Sequence, residues 1–339
     1  MAYTTVNKST DHFNTLLYTG TGSSNALTGV GFQPDMTWIK VRSESNNHEL
    51  YDVVRGVTKR IYPDLSNAED TNTAGLTAFG TDGFTVNTGG AVNGSSKTYV
   101  ARNWKTQGSA GSSNTNGSID TTTTSVNTTA GISLGKFTAT GSAATVGHGL
   151  GVAPAMIIVK RTSATADWQV YHKSLTATHY LEFSQPQASA AAGGTRWNDT
   201  EPTSSVFSIG NEWNNGSELM AYCFAEIKGF SSFGKYTGNG NANGAFIYTG
   251  FKPAMVISKT TGSGDWRIFD NKRNTINPTN AILYPSDPAA EGTETFGDFL
   301  SNGFKLRSAN SNSNGQDYVY MAFAEEPFVG TTNIPTTGK

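Results

Sequence analysis

Two tryptophans and their neighbours are the residues of this chain best suited to hold a ligand. Trp197 lies in Arg196-Trp197-Asn198-Asp199, and Trp213 lies in Asn211-Glu212-Trp213-Asn214-Asn215. An indole face stacks on the apolar face of a sugar, while neighbouring carboxamides donate to and accept from its hydroxyls. Tryptophan is also enriched at subunit interfaces, and a place in the local core is a third reading. Trp197, Asn198, Trp213, Asn214 and Asn215 are therefore the candidate contacts for a glycan or a protein partner, with all three readings open.

Other arrangements that do chemistry do not form from the remaining residues. His148, in Gly147-His148-Gly149, reads as a turn histidine. His12, His48 and His179 have no metal-like spacing to one another or to Cys223, and no His-Glu-x-x-His occurs, so no metal is expected. His172 stands where the other repeats carry Asp52 and Asp270, which reads as a polar strand end and not as a general base. There is no Gly-x-Ser-x-Gly elbow and no phosphate-binding loop. Glycoside hydrolysis needs two carboxylates facing each other across the sugar. Glu325 and Glu326 are adjacent, so on a strand they point to opposite faces. Cys223 is the only cysteine and lies in the apolar run Met220 to Ala225. It reads as a buried, inert thiol. The expectation is a protein without catalytic residues, metal or cofactor.

The elements that must position these residues come from an internal repeat. Gly31-Phe32-Gln33-Pro34-Asp35-Met36-Thr37-Trp38-Ile39-Lys40 returns as Gly151 to Lys160 and as Gly250 to Lys259. Each copy places Met two residues and Lys six residues after the proline. An aromatic-Thr pair (Tyr18, Phe137, Tyr236) precedes that proline by 16, 17 and 17 residues. A second strand follows it, with Tyr51, Tyr171 and Phe269. The last strand carries Trp104, Phe224 and Phe323, each 70 residues past the proline. Such self-similarity defines three structural units. Pro at the head of a strand and alternation along Tyr99-Val100-Ala101 fit antiparallel sheets. The pairs Asn93-Gly94, Asn215-Gly216 and Asn314-Gly315 predict type I′ hairpins.

The reading is all-β: three tandem antiparallel β-sandwiches with almost no helix, over residues 1–110, 111–230 and 231–328, then an extended tail, 329–339. Trp38, Trp104, Trp168 and Trp266 fall on repeat positions and are expected in the cores. Copies two and three, joined by the short Gly229 to Gly234, should pack together, with copy one attached more loosely through 107–135, whose first part reads as linker and whose second half reads as a strand of copy two. Asp287-Pro288-Ala289-Ala290-Glu291 is the one place for a helical turn. The 37 aromatic residues argue against disorder, and 15% charged residues with a net charge of −2 give no footprint for nucleic acid. The start, Met1 to Thr5, has no apolar signal region, and no run is long enough for a membrane helix.

Several of these segments resemble a repeat found in virion proteins of tailed phages, especially marine and cyanobacterial ones. They are Met1 to Thr10, Gly20 to Lys40, Thr145-Val146-Gly147-His148-Gly149-Leu150-Gly151-Val152-Ala153-Pro154, and Tyr320 to Val329. The resemblance implies concanavalin-A-like or jelly-roll sandwiches in a non-enzymatic virion structural protein, tail-fibre-like, at the virion surface. Expected partners are other virion proteins and a host surface glycan, with a homo-oligomer, by analogy a trimer. A capsid decoration or assembly protein that binds only virion proteins is the alternative.

Overall fold

The structure, a computed structural model, describes residues 3–329. The chain is all-β, built of antiparallel sheets. Among the described residues, helix is limited to a turn at Ser9–Asp11 and one at Gly90–Asn93. Each copy contributes an inner sheet of the same strand order. In copy one, Phe13–Thr19 pairs with Thr98–Trp104, then Met36–Val41, then Glu49–Asp52. Copy two repeats this with Ile132–Thr138, Glu218–Phe224, Met156–Arg161 and Gln169–His172, and copy three with Ser231–Thr237, Asp317–Pro327, Phe251–Thr260 and Arg267–Asp270. A smaller outer sheet faces each one, around Gly83–Val86, Val206–Ile209 and Gly303–Leu306.

The repeat spacing now has a cause. Side chains two residues apart share a face of a strand. Met36, Trp38 and Lys40 therefore turn one way, and Thr37, Ile39 and Val41 the other; all six are buried. Ile39 and Val41 pack with Phe84 and Val86 of the outer sheet, so they belong to copy one's own core. Met36 and Trp38 instead join a core shared by all three copies, with Met156, Ile158, Met255 and Ile257. Trp104, Phe224 and Phe323 lie opposite Met36, Met156 and Met255 in the register, which explains the constant spacing of 70. The rings of Trp104 and Phe224 approach that of Phe323 at 5.9 and 6.1 Å. Both faces of each inner sheet are thus covered, and that is why its strands read as continuous apolar runs.

Four expectations are corrected. Asn-Gly does not close hairpins: the strands on either side belong to different sheets, and no Asn of those pairs has positive φ. Asn93 is instead fully buried, donating to the carbonyls of Ser23 and Asn87 and accepting from the amide of Thr21 at 2.9 Å. Residues 287–291 form no helical turn; they lie along copy one, with Asn46 donating to the Pro288 carbonyl and Glu291 to the Arg42 carbonyl. The second half of 107–135 is a strand of copy two, as expected, but the first part is more than a linker, since Ile119 adds in parallel to Val146 at an outer-sheet edge of copy two. Copy one is not loosely attached, as the contacts described next make clear. The expected tail lies, apart from Val329, outside the described residues.

Candidate functional site

The polar residues that recur in the repeat are used to join the copies. At one position Asp52, His172 and Asp270 are all buried, and each bonds the next copy. Tyr222 donates to Asp52 Oδ2 at 2.8 Å, His172 Nε2 meets the Tyr320 carbonyl at 3.1 Å, and Arg102 donates to Asp270 Oδ2 at 2.9 Å. The contacts run one to two, two to three and three to one. His172 is deeper than the polar strand end expected of it. Its Nδ1 accepts from the Ser174 amide, which leaves the proton on Nε2 for the carbonyl. Burial lowers its pKa to about 4.

The indoles follow the same cycle. Trp168 of copy two donates to the Tyr62 and Leu65 carbonyls of copy one, and Trp266 of copy three to the Glu182 carbonyl of copy two. Copy one carries His48 at this position. Its Nδ1 accepts from Trp38, while the Tyr284 and Asp287 carbonyls of copy three face the ring without closing a bond of good geometry with Nε2. Loop pairings repeat as well: Glu69 with Thr162, Ser66 with Ala166, Ser189 with Thr261 and Pro186 with Gly264. The repeat lysines, fully buried, cap carbonyls of these loops. Lys40 donates to those of Val41 and Glu44, Lys160 to those of Ser66, Arg161 and Ala166, and Lys259 to those of Thr260 and Gly262. Burial lowers each lysine to about 8.

Of the five candidate contact residues, the two tryptophans follow the local-core reading and not the sugar or interface ones. Trp197 and Trp213 are 2% and 4% exposed and belong to copy two's core, where Trp197 meets the ring of Tyr171 edge-on at 6.1 Å. Neither indole offers a face for stacking on a sugar or on a partner. Asn198, Asn214 and Asn215 are exposed. Asn198, with Asn211, Ser142, Gly193 and Thr195, lines an open surface groove of about 420 Å³. The loop that shapes it turns sharply: Asn198 and Asp199 have φ of 51° and 44°, a region that Asn and Asp tolerate better than other side chains. Asp199 accepts from the Gly194 amide at 3.1 Å. The loop also approaches Gly210 so closely that a Cβ there would sit 2.1 Å from the Gly194 carbonyl. Arg196, whose guanidinium bonds Gln169 at 3.0 Å and pairs with Glu212, braces it from below. The result is a groove lined by the carboxamides of Asn198 and Asn211, the hydroxyls of Ser142 and Thr195 and glycine backbone, suited to a hydroxyl-rich ligand.

A profile of the family described as "Domain of unknown function (DUF7483)" matches residues 8–327. The chain belongs to that family. The match runs through all three copies. No curated protein and no solved structure matches the chain.

Cys223 is buried, and burial pushes its thiol well above the usual range. His148 is buried too, with Nδ1 accepting from the Leu150 amide and Nε2 meeting the Thr203 carbonyl. Among the described residues, no group of three His, Cys, Asp or Glu is placed to hold a metal ion.

Proposed function

We propose that this chain is a non-enzymatic structural protein of a bacteriophage particle, tail-fibre-like, which displays copy-specific loops for contact with host glycans or neighbouring virion proteins. One observation carries the reading. The side chains that the three copies share, the Met-x-x-x-Lys strands and the buried Asp, His and Trp positions, face inward and join the copies. The outward-facing segments are those in which the copies differ, the Asn198 groove among them. A body braced in this way presents loops with little loss of freedom on binding, which favours weak polar recognition. Several such bodies on one particle would multiply weak contacts through effective concentration. A trimer of chains, expected by analogy, would be an assembly of bodies that are each already closed. Electron microscopy of purified virions carrying a labelled copy tests the reading. Density on the tail or its fibres is expected; density on the head would replace it with the capsid-decoration alternative.

A further inference from the structure

A second groove lies where the outer sheet of copy three meets the N-terminal segment and the end of copy two. Its outer sheet begins with Phe246–Tyr248, whose Ile247 is in the core while Phe246 and Tyr248 are 44% and 58% exposed. Ile247 pairs with Phe304 as Leu27 pairs with Phe84 and Val146 with Phe207. The outward neighbours in the other copies are therefore Ala26 and Thr28, and Thr145 and Gly147. Only copy three puts aromatic rings there, at positions that add nothing to its core. In copy two the equivalent edge is also covered, by Ser118 and Ile119 bonding Thr145. The ring of Phe246 lies against Gly303, where an added Cβ would come within 3.0 Å of it. Tyr248, on the same outward face, reaches the N-terminal segment through its hydroxyl.

Beside Tyr248 is a groove of about 440 Å³, lined by Tyr3, Glu226, Lys228, Ser231 and Thr249. The Tyr3 and Tyr248 hydroxyls are 3.3 Å apart, and Tyr3 donates to the Gly250 carbonyl at 3.1 Å. The Lys228 ammonium lies 4.2 Å from the centre of the Tyr3 ring, which holds that ring in place. Glu226 is held by Lys173 and by the Ser232 hydroxyl at 3.3 Å. The site thus combines an exposed aromatic face with hydroxyls, an ammonium and a carboxylate, all anchored by the fold.

We propose that this groove binds a saccharide. The Tyr248 ring stacks on the C–H face of one sugar residue, and Tyr3, Lys228 and Glu226 exchange hydrogen bonds with its hydroxyls. A peptide strand added to the sheet edge would use the backbone of 246–248 and leave these polar groups idle, so the groove favours sugar over peptide. The proposal deepens the display reading and rests on it for the source of the glycan.

The test is binding of the full-length chain to an array of bacterial surface polysaccharides and their oligosaccharides, with Tyr248→Ala, Tyr248→Trp and Asn198→Ala alongside. Tyr248 is an outward side chain, so all variants should melt with the wild type. Expected are binding to at least one saccharide, an affinity at least about tenfold weaker in Tyr248→Ala, and retention within about threefold in Tyr248→Trp. An array with no bound saccharide, or binding that Tyr248→Ala leaves unchanged, overturns the proposal. Binding lost in Asn198→Ala but kept in Tyr248→Ala would also overturn it, while leaving the display reading in place through the copy-two groove.

Discussion

Replacing Arg102 by tyrosine should stabilise the protein, although it removes a buried ion pair. Arg102 and Asp270 are both fully buried, and Asp270 already binds Arg273, through Nε at 2.6 Å and the backbone amide at 2.9 Å. Burial opposes the carboxylate, but Arg273 and Arg102 outweigh it and hold its pKa at about 2. Burial, aided by the charge of Arg273, lowers Arg102 to about 10. Arg102 uses one nitrogen on Asp270; its Nε and Nη1 find no partner. The copy-one to copy-two junction solves the same problem with one cation: Arg55 pairs with Asp52 at 2.6 Å, and Tyr222 supplies a neutral hydroxyl at 2.8 Å. Arg102→Tyr copies that solution. It removes two unsatisfied donors, a gain of about 1–3 kcal/mol each. It loses a charged bond and a cation 5.8 Å from the Trp38 ring, about 1 kcal/mol each. The expected net change runs from about zero to about 4 kcal/mol of gain, centred near 2. Asp270→Ala should instead cost about 3–5 kcal/mol, because it leaves the buried Arg102 without a carboxylate and Arg273 with Glu291 alone. Urea unfolding with linear extrapolation measures both. An Arg102→Tyr variant weaker than wild type by more than about 1 kcal/mol, or an Asp270→Ala variant close to wild type, would refute this reasoning.

The repeat lysines make stability rise with alkaline pH. Their folded pKa of about 8 lies below the 10.5 of a free lysine, so between those values the unfolded chain binds more protons. Unfolding free energy should climb on the order of 1–2 kcal/mol per lysine from pH 8 to 10. Above pH 10 the trend reverses, since burial holds Tyr18 and Tyr222 well above their ordinary pKa; a flat profile in Lys40→Met, Lys160→Met, Lys259→Met is the control. Trp197→Ala should lose about 3–5 kcal/mol by chemical unfolding, whereas Asn214→Ala stays within about 0.5 kcal/mol; equal effects would return the indole to the surface. Cys223 should react with a thiol reagent only at the rate of unfolding, and a fast stoichiometric reaction in native buffer would show it to be accessible.

What the sequence revealed follows from periodicity. Met at two and Lys at six after the proline mark one face of a strand, and the distance of 70 to Trp104, Phe224 and Phe323 marks its register. What that face meets was not legible, because alternation names a face and not its neighbour. A lysine pattern usually signals solvent, yet Lys40, Lys160 and Lys259 are buried by neighbouring loops. Asn-Gly signals a turn equally well when the chain crosses between sheets. The polar neighbours of Trp197 suggested a surface indole, but the sharp turn at Asn198 and Asp199 sends the ring inward and the carboxamide outward. Phe246 and Tyr248 carried a signal that was missed: aligned on the repeat, they replace small residues at outward positions.

Scanning calorimetry of the whole chain tests the central claim, that the shared residues of the repeat are spent on closing three copies into one body. The account predicts a single cooperative transition with equal calorimetric and van't Hoff enthalpies. Separate transitions for the individual copies would contradict it.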